Sequence, residues 1–223
     1  MKYRKFSSFQ FSDGLDLLNA HFDTWVRRDD QQRREGLTIA IVQLQEKPAR
    51  IIETGTSAWG IDSTRLFDGY VRQFGGRFWT LDIRSEPSQR LASQLCDRTT
   101  ALVGDSVKLL EGLNLSEGKI DLVYLDSWDL DWSEPGPSAA HCLREWQEIL
   151  PMCRPGTMVL IDDTPKSLDF VPDLNPSWRL AASKYLSGVG RLPGKGELVL
   201  QEVKTRDDVQ ILFHGYSLLV QFV

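Results

Sequence analysis

The sequence has no apolar run approaching the ~20 residues that a membrane-spanning helix requires, so a chain that does not cross a membrane is expected. Its first residues, MKYRKFSSFQFSDG, are basic and then polar and acidic where a secretory signal needs an apolar centre, so a cytoplasmic location is expected. Cysteine is scarce. Cys96, Cys142 and Cys153 are odd in number, fit neither a CxxC metal pattern nor a disulfide framework, and read as buried reduced thiols. Basic clusters are missing too: a net charge of -5 without runs of Lys or Arg leaves no footprint for a phosphate backbone. This disfavours nucleic acid and favours a small-molecule partner. The dinucleotide fingerprint GxGxxG is also absent, since four residues separate Gly55 from Gly60. NAD is therefore the weaker cofactor choice, and a nucleotide-dependent oxidoreductase a distant reading.

What is present is a 223-residue chain, 41% hydrophobic and 26% charged, long enough to bury a single core without disulfides or structural metal. Leu15, Leu18, Phe22, Trp25 and Val26 recur at helical spacing, and residues 37–44 form a second helix that Pro48 stops, placing N-terminal helices in 1–48. From Ala49 short apolar runs alternate with amphipathic stretches. The strands are RIIETG, RFWTLDI, TALVGD, DLVYLD and TMVLID; the helices hold 66–74, 89–96, 107–113 and 138–152. Such alternation over 49–163 predicts an α/β fold with a doubly wound, mostly parallel sheet, right-handed crossovers and a ligand at the strands' carboxyl ends. Residues 164–193, with Pro165, Pro172, Pro176, Pro193 and a short helix at 178–186, are a candidate substrate lid. In 194–223, ELVLQEV and VQILFHGYSLLVQFV are β-rich with KTRDD between them, predicting an antiparallel C-terminal edge hairpin. Gly194-Lys195-Gly196 lacks the context of a phosphate loop and reads as a turn into that hairpin. The hairpin and the N-terminal helices could support a homodimer.

Each of the first four strands delivers an acidic residue at its carboxyl end: Glu53, Asp82, Asp105 and Asp126. In IIETGTSAWGIDST a glycine-containing loop lets backbone approach a ligand at Gly55 and Gly60, before a helix that Asp62 or Ser63 could cap. Asp82 can accept hydrogen bonds from both hydroxyls of a ribose. Asp126 ends the fourth strand and Asp162 and Asp163 the fifth, so adjacent strands gather three carboxylates. Bare, they would repel. A divalent cation would keep them ionised, and oxygen-only ligands suit Mg²⁺, Ca²⁺ or Mn²⁺.

The series ETGT, LDI, VGDS and DLVYLD resembles the motifs of class I S-adenosylmethionine-dependent methyltransferases in order and spacing, across 49–163. The resemblance implies S-adenosylmethionine as cofactor. It places Gly55, Ser57, Gly60 and Ser63 on the methionine part, Asp82 on the ribose, and Asp105 with Ser106 on the adenine; Glu53 could offset the cofactor's ammonium. LDSWDLDW resembles the metal-binding segment of catechol-type O-methyltransferases, and IDD the paired acids of macrocin-type sugar O-methyltransferases. Carried over, Asp126, Asp162 and Asp163 would ligate a metal, Mg²⁺ first, that lowers the pKa of an acceptor hydroxyl. One departure matters: where catechol-type enzymes have a lysine base, Asp129 stands. Asp129, Asp131 and His141 are the candidate bases. Trp59, Trp128 and Trp132 could stack on adenine or wall an acceptor, while His21 and His214 look structural. The expected activity is O-methylation of a sugar, phenol or other small-molecule hydroxyl. The alternatives are a metal-independent N-methyltransferase and a protein that binds S-adenosylmethionine without turnover.

Overall fold

The computed structural model describes residues 12–26, 28–57, 60–113 and 119–223. Strands β1 (Ala49–Thr54), β2 (Gly76–Asp82), β3 (Thr99–Val103), β4 (Leu122–Leu125) and β5 (Met158–Ile161) run parallel. An antiparallel pair, β6 (Val209–His214) and β7 (Leu218–Phe222), completes a seven-stranded sheet of order β3-β2-β1-β4-β5-β7-β6. The direction of winding reverses between β1 and β4. That leaves a crevice at their carboxyl ends, where no crossover covers the sheet.

Both faces of the sheet are covered, and the two-residue period of the strands assigns each side chain to one of them. Ile51, Leu122, Tyr124, Met158 and Leu160 pack with Leu17 and Leu18 of α1 (Gly14–Thr24), Leu37 and Ile41 of α2 (Arg34–Gln43), and Leu66 and Phe67 of α3 (Ser63–Phe74). Their neighbours in sequence, Ile52, Val123, Leu125, Val159 and Ile161, face the other way. There they meet Leu110 of α5 (Ser106–Gly112) and Cys142, Trp146 and Ile149 of α6 (Gly136–Ile149). Burying each such side chain stabilises the fold by about 1.5–3 kcal/mol before entropy is counted. Cys96, Cys142 and Cys153 are unpaired, the last two buried.

The expected parallel core and edge hairpin are present, with three local differences. ELVLQEV is a helix, α8 (Glu197–Val203), and the hairpin lies wholly within 209–222. The edge of β5 is taken by β7, so this apolar segment has no strand to pair with, and it buries Val199 and Val203 at i, i+4 spacing instead. Helix α4 (Ser85–Leu91) begins earlier than the 89–96 pattern indicated. In 164–193, α7 (Pro176–Val189) is longer than expected: Asn175 caps its start and Gly190, in the left-handed region, ends it. Among the described residues no helix is long and apolar enough to cross a membrane.

Candidate active site

A cavity of about 600 Å³ lies in the crevice beyond the carboxyl ends of the strands, a size that suits a nucleotide-like ligand. Gly55, Asp82, Asp105 and Ser106 line it, as do Asp126, Asp163, Asp129 and His141. Glu53, Ser57, Gly60, Ser63 and Asp162 are not among its walls. Trp59 lies outside the described residues.

Glu53 shares its strand face with Ile51, so it points beneath α3 rather than into the crevice. Its Oε1 accepts from Ser63 Oγ at 2.6 Å, and its Oε2 from Thr64 Oγ1 at 2.6 Å and Thr80 Oγ1 at 2.7 Å. Burial pushes its pKa up to about 7 against those three bonds. Glu53 and Ser63 thus shape the loop that follows β1. Ser57 does the same, its N–H donating to Thr64 Oγ1 at 2.7 Å and its hydroxyl to Asp62 Oδ1 at 2.9 Å. Gly55 is required: with φ at 95°, a Cβ there would stand 2.3 Å from the carbonyl oxygen of Asp126.

On the β2/β3 side, Asp82 accepts from Arg84 Nε at 3.0 Å and NH2 at 2.7 Å, and from the Arg84 backbone N–H. Beside it Ile83 is 73% exposed, a large apolar side chain on the cavity wall. Asp105 caps α5 through the N–H groups of Val107 and Lys108. Ser106 Oγ donates to Glu145 Oε1 at 2.5 Å and meets His141 Nε2 at 2.9 Å, so His141 belongs to this side and braces Ser106. Asp131 accepts from both the N–H and the hydroxyl of Ser133, which closes a turn and lowers its pKa. Asp129 is exposed on the wall, near enough for Arg84 to feel its charge.

On the β4/β5 side, Asp126, Asp162 and Asp163 converge as expected, with oxygens within 4.8 Å of one another. The sequence pattern had not indicated that cations already lie among them. Lys195 Nζ donates to Asp126 Oδ1 at 2.5 Å and to Asp163 Oδ2 at 3.0 Å. Arg33 Nε donates to Asp162 Oδ2 at 2.6 Å and its NH2 to Asp163 Oδ1 at 3.2 Å, while the Tyr216 hydroxyl also donates to Asp163 Oδ1. Burial opposes the charge of Lys195, but the carboxylates around it win and hold it firmly protonated. Asp163 is held down to about 2 by Lys195 and Arg33 despite its burial. Burial and the neighbouring acids push Asp126 up.

No protein-family model matches the sequence, and no curated protein does. Solved structures do match. The SAH-bound methyltransferase PaMTH1 of Podospora anserina superposes with a TM-score of 0.59 at 18% identity, covering 93% of this chain and 88% of that one. The O-methyltransferase TomG of Streptomyces achromogenes, in complex with SAM, gives 0.52 at 16% identity, covering 95% and 96%. The MycE methyltransferase of the mycinamycin pathway, in complex with Mg, SAH and mycinamycin VI, gives 0.57 at 16% identity, covering 95% of this chain and 55% of the other. The chain has the Rossmann-like methyltransferase fold.

Two groups were expected from the sequence, a nucleoside cofactor and a divalent metal, and the residues present answer differently for each. A nucleoside fits: Ile83 offers an exposed apolar face and Gly55 a close backbone approach on one cavity, and Asp82 a carboxylate held only by the adjacent Arg84, itself half exposed. For a divalent metal on the three acids, one buried oxygen, Asp162 Oδ1, has no partner, but each acid shares at least one oxygen with a cation. Both oxygens of Asp163 are engaged, and an ion reaching Asp126 and Asp163 together would crowd the Lys195 ammonium that bridges them. The three acids expected to hold a metal do meet, and the side-chain cations Lys195 and Arg33 stand among them.

Proposed function

We propose that this protein is an S-adenosylmethionine-dependent methyltransferase acting on a hydroxyl of a small molecule such as a sugar or phenol. The observation that carries this reading is the single cavity connecting Asp82, at the end of β2, across Gly55 to the Asp126–Lys195–Asp163 cluster. When bound, S-adenosylmethionine supplies a methyl group on a sulfonium, an electrophile that requires only an aligned nucleophile. Asp82 binds the ribose hydroxyls, with Arg84 ceding part of its hold; Ile83 covers a face of the adenine, and Ser106, braced by His141 and Glu145, bounds the base. Asp129 serves as proton acceptor for the hydroxyl, in keeping with its exposed place on the wall. This reading routes no step through a metal: Lys195 and Arg33 engage Asp126, Asp163 and one oxygen of Asp162, whose Oδ1 has no hydrogen-bond partner.

The test is calorimetric titration with S-adenosylhomocysteine, followed by transfer of labelled methyl groups to a panel of sugars and phenols. Asp82→Ala should weaken binding roughly tenfold to hundredfold, the loss of one charge-assisted contact. Asp129→Asn should lower the rate while leaving that affinity unchanged. If the folded wild-type protein does not bind S-adenosylhomocysteine, the proposed function is wrong; binding without transfer to any acceptor favours the non-catalytic alternative.

A further inference from the structure

Lys195 is brought to the acid cluster by a loop built for close approach. A Cβ on Gly194 would lie 2.7 Å from the carbonyl oxygen of Asp163, and one on Gly196 would lie 2.6 Å from Thr164 Oγ1. Neither position accepts a side chain without movement. The loop is pinned to the end of β5 by two backbone N–H donors, Lys195 N–H to the Asp163 carbonyl at 2.9 Å and Gly196 N–H to the Thr164 side-chain Oγ1 at 3.0 Å. Asp163 itself stands at φ 43°, a left-handed backbone that a non-glycine residue holds only when its surroundings enforce it. The product of these constraints is a lysine 4% exposed, whose ammonium bridges carboxylates just beyond the ends of two adjacent strands while the residue still lines the cavity. An ammonium has three N–H donors, and the two carboxylates take two of them.

We propose that Lys195 is the resident cation of the acceptor site: its ammonium takes the place of a divalent metal between Asp126 and Asp163 and offers its remaining N–H to the acceptor oxygen. The part concerning the acceptor rests on the methyltransferase reading; the part concerning the cation stands on the geometry alone. Replacing the ammonium by an internal charge changes the chemistry. A point charge on a fixed stem orients an oxygen by one hydrogen bond, whereas a metal would coordinate it with open positions. Arg33, reaching in from the N-terminal side to Asp162 and Asp163, supplies the second positive charge.

The experiment is a Mn²⁺ titration at neutral pH, read by the electron paramagnetic resonance signal of free Mn²⁺, on the full chain. Wild type should take up no Mn²⁺ at millimolar concentration. Lys195→Ala should take up one ion per chain, and adding Asp163→Asn should abolish that uptake. Should Lys195→Ala not fold, Lys195→Met keeps the stem without the charge and is read in the same way, with circular dichroism confirming the fold. Uptake of one Mn²⁺ by wild type that Asp163→Asn abolishes would overturn the proposal, as would a folded Lys195 variant that binds none. S-adenosylhomocysteine affinity, measured on the same samples, reports the methyltransferase reading separately: its absence would not alter the Mn²⁺ result.

Discussion

Glu53 and His21 are both fully buried ionisable groups, and their effects on stability run in opposite directions with pH. The Glu53 carboxyl is raised from 4.5 to about 7, so the folded chain keeps a proton that the unfolded chain has already lost between those values. Stability therefore falls as pH rises from 4.5 to about 7, by roughly 3 kcal/mol at completion. Burial lowers His21 from 6.5 to about 4, leaving a neutral ring whose Nε2 meets the Ile61 carbonyl at 2.8 Å; stability here is lost as pH falls through that window. Glu53→Gln isolates the first effect, because the amide can accept from Thr64 and Thr80 and donate to Ser63. Its urea midpoint, relative to wild type, should rise between about pH 5 and about pH 8. A pH-independent difference would mean that Glu53 is not protonated in the fold near neutrality.

At the scale of elements, the segment from Gly194 to Val203 shows tertiary context overriding local preference. Val199 and Val203 are β-branched, yet the segment is helical because Trp146 of α6, whose Nε1 donates to Glu202 at 2.9 Å, and the sheet beneath offer a face to cover rather than an edge to join. The turn before it has no spare volume. Gly196→Ala should destabilise by about 1–3 kcal/mol, through the clash with Thr164 and Ile161 at the end of β5. Gly188→Ala within α7 meets nothing within 4 Å and should stabilise by about 0.5–1 kcal/mol through helix propensity. Chemical denaturation of the two variants should move in opposite directions; a neutral Gly196→Ala would mean that the turn is looser than its contacts imply.

At the scale of the whole molecule, the segment between β5 and α8 closes the cavity over the β4/β5 side. Pro172, Leu174 and Trp178 stand on its wall, and the Trp178 ring stacks on Trp132, at 6.2 Å between centroids and 29° between planes. This ties α7 to the loop after β4 and makes part of the segment after Asp163 a wall of the cavity. Trp178→Ala should raise the acceptor KM roughly tenfold while changing S-adenosylhomocysteine affinity by less than about twofold. Equal losses in both would place the tryptophan pair in the support of the whole fold instead.

The parallel core, the strand-end positions of Asp82, Asp105 and Asp126, and the meeting of Asp126 with Asp162 and Asp163 were legible in the sequence. They follow from short-range patterns, apolar runs of strand length alternating with helical spacing, that impose a sheet whose carboxyl ends face one way. Glu53 was expected beside the cofactor's ammonium, but it shares the two-residue period of Ile51 and turns beneath α3 to Ser63, Thr64 and Thr80. What only the tertiary structure decided is the charge state of the site. Lys195 lies 69 residues from Asp126, and Arg33 lies 129 from Asp162, so no local spacing connects them. They arrive because the α7–α8 loop and the helical N-terminal region pack against the ends of β4 and β5. Burial there stabilises carboxylates only beside opposite charges, which these two side chains provide.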